Sequence, residues 1–112
     1  MTIHTTPNIK YPKGILVLAE RYGKKQVSES AARALNKAFD LEVSQLQMQL
    51  DDIQRVMADY EKQYGMKSAE FFAKFDSGKT DDRMDYMEWA GLFQMAEDLR
   101  EQIHTLTSEG QT

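Results

Sequence analysis

From Ala31 to Tyr64 the apolar positions of this chain recur alternately four and three residues apart. Phe39, Val43, Leu46, Leu50, Ile53, Met57, Tyr60 and Tyr64 form an unbroken a/d heptad seam, and Gln, Asp, Lys and Arg fill most positions between them. No Pro or Gly interrupts the stretch. This spacing predicts one long amphipathic helix whose seam faces other helices. At about 1.5 Å per residue the helix is roughly 50 Å long, too long for loops to cover, so helical partners must lie along it.

A second seam follows. Trp89, Leu92, Ala96, Leu99, Ile103 and Leu106 are spaced three and four apart, and Tyr86, Ala90 and Phe93 widen the stripe at its start. The acids Asp81, Asp82 and Asp85 open this last helix in the favourable dipole sense. Between the seams lies a short helix from Ser68 to Phe75 or Asp76, with Ser68 as N-cap and Phe71, Phe72 and Phe75 as an aromatic stripe. Gly65 and Gly78 occupy the left-handed positions that close the long and the short helix. Ser28 caps the long helix, with Glu29 in its first turn.

The N-terminal region is less regular. Thr2 to Tyr11 alternates loosely and reads as an extended arm or edge strand, with donors removed at Pro7 and Pro12. The apolar run Ile15 to Ala19 fits a buried strand or a short helix equally well by periodicity. Ala19, Glu20 and Arg21 tilt it toward a helix closed by Gly23 at C′. The domain reading is therefore a basic arm over 1–27, a helical hairpin body over 28–107 and a polar tail over 108–112.

The predicted fold is all-α. A long antiparallel hairpin packs near the +20° class, with the phenylalanine helix crossing or plugging its connecting end. The last helix is shorter than the long one, so the long seam around Phe39 and Val43 lacks an internal partner, and a two-helix hairpin leaves apolar stripe exposed at its edges. The expected outcome is a homodimer forming a four-helix bundle. Phe39, Val43, Leu46, Leu50, Ile53 and Met57 are its candidate seam.

Charge divides the chain. Met1 to Gln26 carries five basic residues (Lys10, Lys13, Arg21, Lys24 and Lys25) against Glu20 alone, a net of +4; the remainder has nine basic and seventeen acidic residues, a net of −8. A basic head on an acidic body suggests two surfaces with different partners: DNA is a candidate for the five basic residues and a basic protein for the body. The plain alternative is a lysine-bearing loop on an acidic bundle. Cysteine is absent, so no disulfide or thiolate metal site can form. The start has neither the basic nor the apolar region of a signal peptide, and Ile15 to Ala19 is far short of a membrane span. A cytoplasmic protein without a membrane partner is expected.

No catalytic constellation emerges. Gly78-Lys79-Thr80 resembles the end of a phosphate-binding loop, but Ala73 stands where the first Gly is needed and a helix precedes it. A calcium loop counted from Asp76 places Gly78 at a ligand position, Asp81 where Gly is required and Met87 where a bidentate Glu is required. Helix capping explains those acids. His4 and His104 are a hundred residues apart, and Asp51 and Asp52 point to different faces, so neither forms an acid/base pair. The expectation is a non-enzyme without metal or cofactor. Its seven methionines read as gap-filling core or as a pliable binding surface. Phe72, Phe75, Trp89 and Phe93 read either as a partner-binding hot spot or as an internal plug at the hairpin turn.

Tyr64-Gly65-Met66-Lys67-Ser68-Ala69-Glu70-Phe71, followed by Phe75, Gly78, Asp82, Asp85 and Glu88-Trp89-Ala90, resembles a pattern in small bacterial and archaeal antitoxin-like proteins. The likeness covers Asp59 to Leu106, under half the chain. It implies the antidote half of a toxin–antitoxin pair, which neutralises its partner, often an RNase, by helix contacts. Met1 to Gln26 carries no ribbon-helix-helix or helix-turn-helix pattern, so autoregulatory DNA contact would fall to the basic residues already named. The sequence reading is thus an interaction module that occludes a basic partner, with Phe72, Phe75, Trp89 and Phe93 as anchors. A structural homo-oligomeric coiled-coil scaffold is the alternative.

Overall fold

The computed structural model describes residues 9–108, and these form an all-helical fold. Helix α1 runs Gly14–Gly23, α2 Glu29–Tyr64, α3 Ser68–Asp76 and α4 Met84–Ser108. No strand occurs among the described residues, and Ile15 to Ala19 lies within α1. Most of the suggested arm, Thr2 to Asn8, lies outside the described residues, as does the tail after Ser108. Two compact units divide between Leu41 and Glu42, inside α2 rather than at the junction of arm and body.

Unit 2 is the hairpin. The C-terminal part of α2 and α4 run antiparallel: Tyr60 meets Glu88 and Tyr64 meets Asp85 at one end. At the other, Glu42 and Leu46 share a cleft with Gln102 and Leu106. The two heptad seams close on each other. Leu46, Leu50, Ile53 and Met57 from α2 are buried with Trp89, Ala90, Ala96 and Leu99 from α4 and Phe71 from α3. The candidate dimer seam is corrected on this point. Its four C-terminal members are spent inside one chain, because an a/d stripe that finds an internal partner has nothing left to offer a second copy. Val43 is half-buried and Phe39 exposed.

Trp89 and Phe71 are the largest fully buried side chains, with 0% and 1% of their surfaces accessible. Their rings stack with centroids 3.9 Å apart and planes 2° from parallel. Tyr60 and Tyr64 stack on Trp89 at 5.6 and 5.8 Å. Trp89 and Phe71 are therefore internal, and buried aromatic contacts of this kind add to the area term.

Local chemistry explains the helix ends. Ser28 Oγ accepts from the Ala31 N–H at 3.1 Å, the cap its residue type predicts. Gly65 (φ 67°) donates to the Glu61 carbonyl at 2.8 Å as a single-bond left-handed stop. Gly78 (φ 77°) closes α3 in a full Schellman motif, with Lys79 bonded to Lys74 and Gly78 to Phe75. At the end of α1 the left-handed residue is Lys25 (φ 59°), not Gly23. Gly23 stays helical, while Gln26 bonds to Arg21 and Lys25 to Tyr22 in the same motif two residues later.

Candidate interaction surfaces

The corner where α2 turns into α3 is wired by side chains. Lys67 is the extended residue before α3 and gives no side-chain cap. Ser68, expected as that cap, is instead the first helical residue. Its N–H donates to Glu61 Oε2 at 2.8 Å, and its Oγ accepts from Trp89 Nε1 at 2.8 Å. Glu61 thus caps α3 from the last turn of α2. Its carboxyl is held below the ordinary range, first by the Ser68 N–H and further by the Ser68 hydroxyl and Lys67. An acid is poorly placed for the dipole of its own helix there, and that misfit is the sequence signal that it serves another helix start.

On the opposite side Tyr60 donates to Glu88 Oε1 and Tyr64 to Asp85 Oδ2 at 2.6 Å. The Glu88 bond, with burial, pushes the Tyr60 phenol up to about 12 from 10. Asp85 raises Tyr64. Because folding raises the Tyr60 value, its contribution is whole below pH 10 and is lost as pH rises through about 12. Ultraviolet phenolate titration should show Tyr60 ionising last, with unfolding beginning in that window. In Glu88→Gln the late step should move down.

The four proposed anchors do not form one patch. Trp89 is sealed inside, and Phe75 lies half-buried against Phe71 at 5.7 Å. Only Phe72 and Phe93 pair toward the surface, half-buried and stacked at 4.8 Å. The reason is helical spacing: Phe71 and Phe75 share the inward face of α3, and Phe72 lies to its side. Phe93 also lines an open cleft of about 450 Å³ with Met57, Glu61, Lys67, Glu97 and Arg100. Glu97 and Arg100 pair at 2.9 Å, both partly exposed. The resulting ledge is aromatic at its base and charged at its rim.

Unit 1 presents the second surface. None of the α1 residues is buried. Ile15, Leu16 and Val17 are 51%, 75% and 57% exposed, and Ile9, Tyr11, Tyr22, Phe39 and Leu41 are exposed beside them in sequence or in the unit. The Tyr22 hydroxyl donates to Asn36 Oδ1, tying α1 to the start of α2. Lys10, Lys13, Arg21, Lys24 and Lys25 are all exposed around this short helix. No family model, curated protein or solved structure matches the chain.

The residues that carry the antitoxin likeness have structural duties here. Gly65 supplies the turn, Ser68 receives the indole, Asp85 and Glu88 hold the tyrosines and Trp89 fills the core. Among the described residues no cluster of His, Cys, Asp or Glu is arranged to hold a metal ion, and no helix is long and apolar enough to cross a membrane. His104 is exposed on α4, and His4 lies outside the described residues.

Proposed function

We propose that this protein is a non-enzymatic interaction module of antitoxin type, which holds a basic protein partner on the Phe72–Phe93 ledge of unit 2. The observation that carries the reading is that ledge: a stacked aromatic pair beside an open cleft rimmed by Glu61, Lys67, Glu97 and Arg100. The partner inserts an apolar anchor against Phe93, and the acids of α4 steer its approach. Unit 2 has fifteen acidic and seven basic residues, which suits a basic partner. The antitoxin form of the reading is supported by the sequence likeness between Tyr64 and Ala90. Its mechanism is occlusion.

Glu97→Lys tests it with little risk to the fold, since an exposed ion pair such as Glu97–Arg100 contributes under about 1 kcal/mol. Co-expression with the product of the adjacent open reading frame should give a complex of fixed ratio. Glu97→Lys should weaken it at least tenfold, mostly through a slower association rate, while Phe93→Ala should weaken it through faster release. A complex indifferent to both substitutions, or none at all, would overturn the proposal.

A further inference from the structure

We infer that the corner of unit 2 formed by Tyr64, Tyr86 and Asp81 is a receptor for the guanidinium of an arginine side chain on another protein. Arg83 is its built-in occupant. This corner is a separate surface from the Phe72–Phe93 ledge, and the inference does not rest on the antitoxin reading. The Arg83 guanidinium lies 4.5 Å from the ring centroid of Tyr86 and 5.9 Å from that of Tyr64. Both distances are within the range of cation–π attraction. Its Nε and Nη2 donate to the two oxygens of Asp81 at 2.9 and 2.8 Å. Such two-pronged pairing fits a planar guanidinium and not the point charge of a lysine. Asp81 first, and then the Tyr64 hydroxyl, holds the head group charged.

The rings are placed by the fold rather than by Arg83. Tyr64 and Tyr86 are half-buried against the hydrophobic core and meet edge to face at 5.1 Å. Tyr64 is fixed further by its bond to Asp85 at 2.6 Å. The receptor therefore persists when its occupant leaves. Leaving is easy: the Arg83 and Asp81 side chains are 49% and 58% exposed, and an exposed pair is weakly held.

Nothing in the folding of α4 asks for a base at residue 83. Its carbonyl accepts from the N–H groups of Tyr86 and Met87 at 3.1 and 3.2 Å, so Arg83 is the N-cap residue. That position favours Ser, Thr, Asp or Asn, and a cation there opposes the helix dipole. The corner explains the charge. Between residues 81 and 88 it carries Asp81, Asp82, Asp85 and Glu88 against Arg83 alone, four acids and one base, a net of −3. A basic side chain from outside is drawn to that excess. An incoming arginine lays its stem on the Tyr86 ring, pairs with Asp81 and takes the place of Arg83.

Titration of the full chain with N-acetyl-arginine methylamide, followed by the ring-proton NMR signals of the tyrosines, tests this. Arg83→Ser empties the receptor and suits the N-cap. In that variant the probe should saturate at one equivalent and shift the Tyr64 and Tyr86 signals. The Trp89 signals should stay in place, which separates binding from a change of fold. The wild-type chain should bind about tenfold more weakly, because only molecules whose Arg83 has swung away are competent. N-acetyl-citrulline methylamide, the same shape without the charge, should not bind. Methylguanidinium, which lacks the stem, should bind more weakly than the arginine probe; equal binding would overturn the assignment to an arginine in favour of a free guanidinium compound. The receptor itself would be overturned by citrulline binding as tightly as arginine, or by a wild type as receptive as Arg83→Ser. Absence of saturable binding to Arg83→Ser would overturn it too.

Discussion

Trp89→Ala should unfold unit 2. Removing a buried Trp or Phe costs about 3–5 kcal/mol through lost burial and the cavity left behind. Here the ring also stacks on Phe71, Tyr60 and Tyr64, and its N–H satisfies Ser68. The total stability of a domain of this size is only about 5–15 kcal/mol. Far-ultraviolet dichroism in urea should show the midpoint collapse, or no cooperative transition at all. Trp89→Phe keeps most of the ring and loses the donor, so it should cost about 1–3 kcal/mol, the range for an unpaired buried polar group. A Trp89→Ala chain that melts like the wild type would mean the residue is not the keystone of this hairpin. It would then return to being a surface anchor.

Leu50→Ala is the second large effect, and it separates two meanings of one pattern. Leu50 is buried midway along α2 in the core shared with α4. Its truncation should cost about 2–5 kcal/mol in chemical denaturation. The association state of the folded protein should not change, because Leu50 is buried within one chain. If the Leu46–Met57 seam joined two chains instead, Leu50→Ala would shift the association equilibrium as much as the melting curve. Denaturation and sedimentation on the same variant decide between the two.

The seams themselves were legible from spacing alone, since buried positions along a helix recur at 3.5 residues whatever covers them. Their internal pairing as a hairpin was legible too. An internal helix and a second chain impose the same a/d pattern, so Leu46 to Met57 suited a dimer seam as well as the hairpin, and the hairpin buries all four of those seam residues. Ser68 shows a different limit. Its residue type and position suit an N-cap, but the choice was made by Trp89, twenty-one residues away, and by Glu61 across the turn. At Lys25 the glycine two residues earlier was the better left-handed candidate by type. The helix nonetheless runs on through Gly23. The four aromatics looked like one cluster because Phe72 and Phe75 are three apart, yet the turn of α3 sends them to different surroundings.

Two seams that close on each other within one chain, around Trp89 and Phe71, hold this protein together. Amide hydrogen exchange measured across a range of protein concentrations tests it most directly. Amides of Leu50 to Met57 and of Trp89 to Leu99 should exchange at the same slow rate at every concentration, while those of α1, where no residue is buried, should exchange fast. Exchange of the core that slows as concentration rises would contradict it.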